Sequence, residues 1–257
     1  MMTKTNELFT SSLLPTGNGK LLDYDDENGT KFRYAQFNTR PVIDCPFRSA
    51  GCESVCYATK GNHKFPSVKD SRSRSFLESK REDFSARIAY TIKYHMTTKR
   101  YRDAVMLLRI HESGDFYSVQ YLRKWVAIWK EFKEAKNIKF IFYTKSFPFF
   151  LMLDEEETSL VREMMRNGTI SINLSLDDTT SRNQKIAYLE MLKKFPLCNT
   201  YYCTEDVESV PHNNVCDCAD CAKCGKCNTA RAEKTVVKIH SAGKADMEEY
   251  RRNAERV

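Results

Sequence analysis

Apolar runs of strand length alternate with segments of helical periodicity through the middle of the chain. The runs at 104–111, 138–144 and 170–176 are short, rich in branched and aromatic residues, and typical of buried strands. After the first run, apolar residues recur at the spacing of one helix face: Leu122, Trp125, Val126, Trp129 and Phe132. This alternation predicts parallel strands that are joined by crossover helices.

Weaker patterns extend the alternation in both directions. The further elements expected, in chain order, are a strand over 31–38, a helix over 67–95, a helix over 154–167, a helix from 177 to 195, and strands over 199–203 and 235–240. The helix over 154–167 should begin with Asp154 as its N-cap and end before Gly168. Residues 40–66 should form a loop between the first strand and the first helix.

The predicted fold class is therefore α/β, a partial (β/α) barrel of parallel strands with a cysteine-rich C-terminal metal-binding segment. Residues 1–30 contain Pro15 and three glycines and predict an irregular lead-in. The barrel-like domain is expected over 31–200, and the metal-binding tail with a C-terminal helix over 201–257. The chain has no Gly-x-Gly-x-x-Gly or phosphate-loop signature, which counts against a dinucleotide or nucleoside-triphosphate fold.

A barrel of this type carries its chemistry in the loops that follow its strands. In this chain those loops hold the segments 45–56, 111–115, 144–146 and 175–178. Because the carboxyl ends of parallel strands meet at one edge of a sheet, these four segments are expected to share one rim.

Positive charge is concentrated before the first apolar run. The chain has 41 basic and 34 acidic residues, a formal net charge of +7, and many of the basic residues fall between Lys60 and Arg102. A basic face of this kind attracts phosphate backbones, so nucleic acid is an expected partner. A solvated helix face is the alternative interpretation of the same residues.

The chain shows no pattern that directs it to a membrane. It contains no apolar run of membrane-spanning length, and its first residues carry Lys4 and Glu7 without a continuous apolar core. Neither a membrane span nor a signal peptide is expected, and the expected location is the cytoplasm. Cytoplasmic thiols stay reduced, so the ten cysteines favour metal binding over disulfides.

Two cysteine groups have spacings that suit metal centres. Cys45, Cys52 and Cys56 offer three thiolates from one loop, which leaves one metal position open for a substrate or cofactor. The later group has a ferredoxin-like spacing, and its members are Cys218, Cys221, Cys224 and Cys227, any of which Cys203 could replace. An iron–sulfur cluster is favoured at both groups. Zinc is the alternative, and a competing zinc site would use Cys216, Cys218, Cys221 and His240.

The loop residues resemble those of the radical S-adenosylmethionine (SAM) enzymes. Residues 51–58 (GCESVCYA) are similar to the cysteine loop that follows the first barrel strand in that superfamily. Ser113-Gly114-Asp115 is similar to its Gly-Gly-Glu element, which holds the methionine amino group. Residues 143–146 and 175–178 are similar to the turns after its third and fourth strands. Thr59 stands where the third cysteine of that loop is normally found, so the resemblance requires Cys45 as the third ligand.

This resemblance implies a 4Fe–4S cluster with SAM bound at its open iron. The residues implied as ligands of the cluster are Cys45, Cys52 and Cys56. The residues implied for cofactor binding are Tyr57, Ser113, Gly114, Asp115 and Ser175. The residues implied for catalysis are His111, Asp115, Lys145 and Asp177. Such an enzyme needs a reductase or flavodoxin-type electron donor, and modification of nucleic acid is its expected reaction.

The chain also resembles a small family of phage proteins known as gene product 88. The shared features are Cys45-Pro46, Cys56-Tyr57-Ala58, the stretch 109–116 (RIHESGDF) and the terminal cysteines. This resemblance implies a phage origin, with the cytoplasm of an infected bacterial host as the location. It supplies no reaction.

Simpler interpretations exist for several of these residues. Asp115 and Asp178 are natural N-caps for the helices that follow them. His111 would form a hydrogen bond within the rim. Each of these roles is structural and requires no cofactor.

Two other functions fit parts of the pattern. The segment 113–116 also resembles the Asp-Ser-Gly-Gly-Phe element of tRNA-guanine transglycosylases, whose zinc spacing is matched by residues 216–221. In a zinc-bearing guanine or 7-deazaguanine transglycosylase acting on DNA, Asp115 or Glu112 would be the base and Asp177 the nucleophile. A non-catalytic, metal-stabilised nucleic-acid-binding protein would explain the charge and the cysteines, but not the polar residues at the strand ends.

Overall fold

One eight-stranded sheet organises the chain. The computed structural model describes residues 13–16, 22–212, 214–216, 224–239 and 243–256. The strands are β1 (Tyr24–Asp25), β2 (Lys31–Phe37), β3 (Val105–Ile110), β4 (Ile138–Thr144), β5 (Ile170–Asp177), β6 (Asn199–Thr204), β7 (Asn214–Cys216) and β8 (Lys234–Lys238). Their order is β1-β2-β3-β4-β5-β6-β8-β7, and only the β1–β2 pair is antiparallel. The α/β class and the parallel strands are confirmed, and the sheet stays open with β1 and β7 at its edges.

The main hydrophobic core lies on one face of this sheet. The helices of the described part are α1 (Ala50–Ser54), α2 (Pro66–Lys80), α3 (Phe84–Thr97), α4 (Val119–Glu131), α5 (Phe147–Leu151), α6 (Glu155–Arg166), α7 (Arg182–Lys194) and α8 (Lys244–Ala254). Consecutive parallel strands are neighbours, so right-handed crossovers put their helices on the same face. The core is built from that face of the sheet and from α3 to α7. None of these helices is long and apolar enough to cross a bilayer.

Side chains alternate between the two faces of the sheet, and the faces differ in chemistry. On β3, Leu108 and Ile110 enter the main core, whereas Leu107 belongs to a small separate cluster with Tyr34 and Ile141. We call the face that carries Leu107 the inner face. The core helices pack on the other face, so a different part of the chain has to cover the inner face.

The C-terminal segment 224–233 covers part of the inner face. Asn173, which is fully buried, donates a hydrogen bond to the carbonyl of Cys227 at 3.2 Å. Asn199, which is also buried, forms hydrogen bonds with three backbone groups between 229 and 233 at 2.9–3.3 Å. The chain then enters β8, which pairs with β6. Cys227 is therefore held against the sheet.

The single helix predicted over 67–95 is wrong, because two helices, α2 and α3, replace it. Arg81 between them has an extended backbone, and its side chain pairs with Asp83 at 2.8 Å. The two helices also bury different kinds of side chain. Polar residues such as Arg72 are buried on α2, whereas α3 buries Phe84 and further apolar residues in the main core. A single straight helix over 67–95 could not bury both the polar side chains of α2 and the apolar side chains of α3 in their different surroundings.

One of the predicted helix caps is confirmed and another is wrong. Asp154 is the N-cap of α6 and forms a capping box with Glu157, as predicted. Asp178 does not open a helix, because α7 begins four residues later with Ser181 as its N-cap. The Asp178 carboxylate instead accepts a hydrogen bond from the hydroxyl of Tyr250 on α8 at 3.0 Å. A contact with a distant helix has replaced the local cap.

Replacement of Asn199 by alanine should loosen the covering segment 224–233. The change leaves backbone groups between 229 and 233 without a partner, so the free energy of unfolding should fall by about 2–4 kcal/mol. Urea denaturation followed by circular dichroism measures this loss. Asn183→Ala, at the exposed start of α7, is the matched control. An equal effect of the two changes would show that Asn199 does not hold the segment.

Candidate functional site

The loops after strands β2, β3 and β4 and the carboxyl ends of β5 and β6 border one cavity of about 370 Å³. The predicted site residues that line it are Cys45, Cys52, Cys56, Tyr57, His111, Ser113, Gly114, Asp115, Lys145, Ser175, Asp177, Cys203 and Cys227. Cys224 is described and exposed, while Cys218 and Cys221 lie outside the described residues. The four segments expected on one rim therefore meet at this cavity.

The first cysteine group lies in a segment that was predicted as a loop and that contains the short helix α1. Ser49 caps this helix and accepts a hydrogen bond from the N–H of Cys52 at 3.2 Å. Gly51 allows a close approach, because a Cβ atom there would lie 2.7 Å from Thr179 Oγ1 and 2.6 Å from the ring of Tyr250. The N–H of Gly51 donates to Thr179 Oγ1 at 2.7 Å. The helix is thus fixed against the loop after β5 and against α8.

Burial raises the pKa of all three thiols in this group. The pKa of Cys52 rises to about 12, mainly because of burial, while Lys145 opposes the rise and Asp177 adds to it. Asp115 adds to the effect of burial at Cys45. Thiols of this kind are protonated at neutral pH, and they become thiolates when a metal cation replaces the proton.

A buried ion pair supports α1. Lys145 Nζ donates to Asp177 Oδ2 at 2.7 Å and to the carbonyl of Ser175 at 3.2 Å. The same carboxylate accepts hydrogen bonds from the hydroxyls of Ser49 and Thr179. Burial alone would lower the pKa of Lys145 and raise that of Asp177, but the pairing reverses both shifts. Both groups are charged, and both carboxylate oxygens of Asp177 are engaged.

Asp115 lies in the wall of the cavity. Its Oδ1 accepts hydrogen bonds from the N–H of Phe116 at 2.8 Å and from the hydroxyl of Thr144 at 2.7 Å. Its Oδ2 accepts from the N–H of Lys145 at 2.9 Å. Burial raises the pKa of Asp115 to about 6, although these hydrogen bonds oppose the rise. The N-cap role considered for Asp115 is wrong, because Ser118 caps α4.

A tight turn presents Asp115 to the cavity. Gly114 has φ +81°, and a Cβ atom there would lie 1.9 Å from Thr39 Oγ1, so the turn requires glycine. The hydroxyl of Ser113 donates to the carbonyl of Thr39 at 2.7 Å, and the N–H of Thr39 donates back to the carbonyl of Ser113 at 3.0 Å. The N–H of Asp115 donates to the carbonyl of Asp44 at 3.1 Å. The turn after β3 is therefore held against the segment that leads to Cys45.

His111 and Tyr57 are held by neighbours within the cavity wall. The Nε2 atom of His111 shares a hydrogen bond with the hydroxyl of Tyr121 at 2.9 Å, so the bond expected within the rim is present. Burial, with a smaller contribution from Arg109, lowers the pKa of His111 to about 3. The imidazole is therefore neutral at physiological pH. The hydroxyl of Tyr57 donates to the carbonyl of Glu112.

Three of the later cysteines reach the same cavity. Cys203 at the end of β6, Cys216 on β7 and Cys227 in the covering segment all line it. Burial raises the pKa of Cys203 to about 11 and raises that of Cys227 as well. Cys203, Cys216 and Cys227 therefore border the same space as Cys45, Cys52 and Cys56.

A preformed site for one metal ion is not seen in the part of the chain that the structure describes. Within those ranges, no three His, Cys, Asp or Glu side chains converge closely enough to hold an ion. The metal-binding character predicted for the C-terminal segment is therefore not shown. Eight cysteines of the described ranges form no disulfide.

Two cavity residues were not singled out from the sequence. Arg109 on β3 lies with its guanidinium over the ring of Tyr143 on β4, 4.0 Å from the ring centroid. A sequence signal for Arg109 existed, because it is the one charged residue in an apolar strand and lies two positions after Leu107. The role of Tyr250 had no local signal, since it depends on the docking of α8.

Half of the twelve basic residues between Lys60 and Arg102 form ion pairs with acids in the fold. The ion pairs are Lys60–Asp246, Arg81–Asp83, Arg87–Glu78, Lys93–Glu131, Arg100–Asp23 and Arg102–Asp103. Arg72 is buried and donates to the carbonyl of Ala58 at 3.0 Å. The attraction of this face for phosphate is therefore weaker than the sequence alone indicates.

Asp115 should make the stability of the protein depend on pH. Its pKa is about 6 in the folded state against a usual value of 3.8, so its stabilising contribution is complete below about pH 4 and is lost as the pH rises through 6. The free energy of unfolding of the wild type, relative to Asp115→Asn, should fall by on the order of 2–3 kcal/mol between about pH 4 and 7. Urea denaturation across this pH range measures the difference. A difference that does not change with pH would contradict the raised pKa.

Comparison with known proteins gives one match. A family model described as gene product 88 matches residues 11–230, which is most of the chain. The matched range includes the first cysteine group, Asp115 and Asp177, and it ends before β8. No curated protein and no solved structure matches.

Proposed function

The chain belongs to the gene product 88 family, and we propose that it is a radical-SAM-like iron–sulfur enzyme that modifies nucleic acid. One observation carries the proposal. Three thiols from one loop, those of Cys45, Cys52 and Cys56, border the same cavity as the Asp115 carboxylate. That cavity lies at the carboxyl ends of consecutive parallel strands, which is the edge where folds of this class carry their chemistry.

The donor set fits a cluster better than a single ion. Thiolates are the usual ligands of iron–sulfur clusters, and Cys45, Cys52 and Cys56 are free. Each cysteine of a cluster binds a different iron atom, so the ligands stand further apart than around one zinc ion, where each sulfur lies about 2.3 Å from the metal. Three cysteine ligands would leave one iron of a 4Fe–4S cluster open, so this is the centre that we propose here.

The position of Thr59 supports Cys45 as the third ligand. Thr59 is exposed, and its hydroxyl donates to the carbonyl of Cys56 at 2.8 Å. Cys45 lines the cavity, and its pKa responds to both Cys52 and Cys56, as expected for neighbouring thiols. In this proposal Cys45, which precedes α1, replaces the third cysteine that radical-SAM loops normally carry at the position of Thr59.

The proposed cofactors are the cluster and SAM. Cys45, Cys52 and Cys56 would hold the cluster and leave one iron open to SAM, and the bound pair would supply radical chemistry with a reductase or flavodoxin-type protein as its electron donor. Asp115 would accept a hydrogen bond from the methionine amino group. Ser113, Gly114, Tyr57 and Ser175 border the same space and would surround the rest of the cofactor.

Lys145, Asp177 and His111 have supporting roles in this proposal. The Lys145 ammonium lowers the pKa of Cys52 and so favours the thiolate that binds iron. Asp177 keeps Lys145 charged and, through Ser49, holds α1 in place. His111 is neutral and orients its surroundings through Tyr121, because a pKa of about 3 makes it a poor proton donor or acceptor at neutral pH.

The later cysteines are proposed to hold a second cysteine-ligated centre. Cys203, Cys224 and Cys227 are the described candidates, and Cys218 and Cys221 complete the sequence pattern. Two of the described candidates, Cys203 and Cys227, line the cavity. A second centre there would border the substrate space.

The nucleic-acid part of the proposal rests on charge. The formal net charge is +7, and Lys69 and Arg74 on α2, with Lys64 and Lys99 beside the first helices, are exposed basic residues. Base exchange by a zinc-bearing transglycosylase is not favoured, because it needs a free carboxylate as nucleophile. Both oxygens of Asp177 are engaged by Lys145 and Thr179.

Anaerobic purification should give a brown protein that contains iron and sulfide and absorbs broadly at about 400 nm. Cys52→Ala should lose most of the iron of the first centre, because it removes one of three ligands. Cys198→Ala removes a buried thiol of the main core and should keep the iron, so it is the matched control. A colourless protein with zinc and no sulfide would rule out the proposal.

Reduction of the purified protein with dithionite in the presence of SAM should release methionine. Cys52→Ala should abolish this cleavage. Asp115→Asn should slow it at least about tenfold, since a hydrogen bond to a charged group contributes about 1.5–3 kcal/mol. Chromatography of the products measures the rate, with the exposed Asp103→Asn as control. Unchanged cleavage by Asp115→Asn would show that this carboxylate does not bind the amino group.

A further inference from the structure

One cation on the inner face, Arg109, forms no ion pair with a described carboxylate. Arg109 lies level with Ile141 in the register of β3 and β4, and it lines the cavity. Its Nε atom is buried and lacks a hydrogen-bond partner, and within the described ranges no carboxylate lies at salt-bridge distance from its guanidinium. Burial lowers the pKa of Arg109, but Tyr143, Tyr57, Cys227 and Glu112 together raise it above its ordinary value, so the guanidinium is charged.

This half-buried guanidinium leaves its Nε–H without an acceptor unless a bound ligand supplies one. It carries five N–H donors, and buried charges in folded proteins are normally paired and hydrogen-bonded. The ring of Tyr143, 4.0 Å away, contacts the flat face of the guanidinium but accepts nothing from the N–H groups at its edge. A group that lowers stability in the absence of a ligand is typical of a binding site.

The surroundings of Arg109 are flat and apolar. Tyr34, Ile141, Tyr143 and Tyr201 line the same cavity, and the rings of Tyr143 and Tyr201 meet edge to face with their centroids 4.8 Å apart. Burial raises the pKa of all three tyrosines, so their hydroxyls do not neutralise the guanidinium. A molecule bound here meets aromatic rings and one cation.

We propose that Arg109 and these tyrosines form a binding subsite for a small molecule that joins an anionic group, a phosphate or a carboxylate, to a flat apolar body. The anionic group pairs with the edge of the guanidinium. The flat body packs against the rings of Tyr143 and Tyr201. The carboxylate of Asp115 at the rim repels an anion, which directs the anionic end towards Arg109.

This subsite deepens the proposed function by naming the class of substrate. The subsite rests on the proposed function in one respect: the molecule that it binds is taken to be the substrate of the proposed enzyme. Binding at Arg109 requires neither the cleavage of SAM nor a reductant. The two proposals therefore fail or succeed in separate measurements.

Equilibrium binding to the anaerobically purified protein, without SAM or reductant, tests the subsite. Two pairs of probes are used: thymidine 5′-monophosphate with thymidine, and indole-3-acetate with its methyl ester. In at least one pair the anionic member should bind at least about tenfold more tightly, because only it forms the charge-assisted hydrogen bonds. Preference within the nucleotide pair identifies a phosphate, and preference within the indole pair identifies a carboxylate.

Arg109→Met removes the charge at similar length and should abolish this preference. Arg123→Met, on the exposed side of α4, should retain it and is the matched control. Without a ligand, Arg109→Met should unfold at a urea concentration close to or above that of the wild type, because the half-buried guanidinium forms no salt bridge with a described carboxylate. A lower midpoint would show that Arg109 is structural and would overturn the proposal.

Other results would also overturn it. Equal binding of both members of each pair, no binding of either anion at about 1 mM, or a preference that survives in Arg109→Met would each do so. If no protein prefers the anionic probes and Arg109→Met loses bound metal, then Arg109 balances the charge of a metal centre at Cys227 instead of binding a ligand. If a colourless protein without a cluster still prefers the anionic probes, the radical-SAM proposal is wrong and the subsite stands. If the protein cleaves SAM but does not prefer the anionic probes, the subsite is wrong and the radical-SAM proposal stands.

Discussion

The buried carboxylate of Asp177 is the contact on which the arrangement of the cavity depends. It accepts hydrogen bonds from Ser49 and Thr179 and forms an ion pair with Lys145 at 2.7 Å. Its partners belong to the cap of α1, to the loop after β5 and to the end of β4, so one group joins three segments. A buried carboxylate is costly without such partners. The position of Cys52 is therefore coupled to residues more than a hundred positions away along the chain.

The order of the strands explains why a cavity exists beside this contact. Because consecutive parallel strands are neighbours, the crossover helices cover one face and leave the inner face to other parts of the chain. Segment 224–233 covers part of it through Asn173 and Asn199. The space that remains has thiols and Asp115 at its rim and Arg109 among tyrosine rings on the sheet. In the proposed enzyme, the rim holds the cofactor and the sheet holds the substrate.

Prediction from sequence succeeded where local chemistry decides the outcome. Strands β3, β4 and β5 lie within one or two residues of the predicted runs, because short, branched, apolar segments favour buried strands. The capping box of Asp154 was predictable because the residues that form it are close together in the sequence. Prediction failed where a distant partner competes with a local one. The pairing of Arg81 and the polar burial on α2 ended a helix that periodicity alone extended, and Tyr250 drew Asp178 away from a cap.

The sequence by itself determined the α/β alternation, the types of chemical group available and their positions at the strand ends. This follows because periodicity, turn residues and strand direction are local properties of the chain. Only the tertiary structure decided that Cys227 shares a cavity with Cys45, that Asp115 is buried enough to raise its pKa to about 6, and that the Nε atom of Arg109 has no hydrogen-bond partner. Burial, pairing and the lack of a pair depend on segments that are far apart in sequence, so no local pattern encodes them.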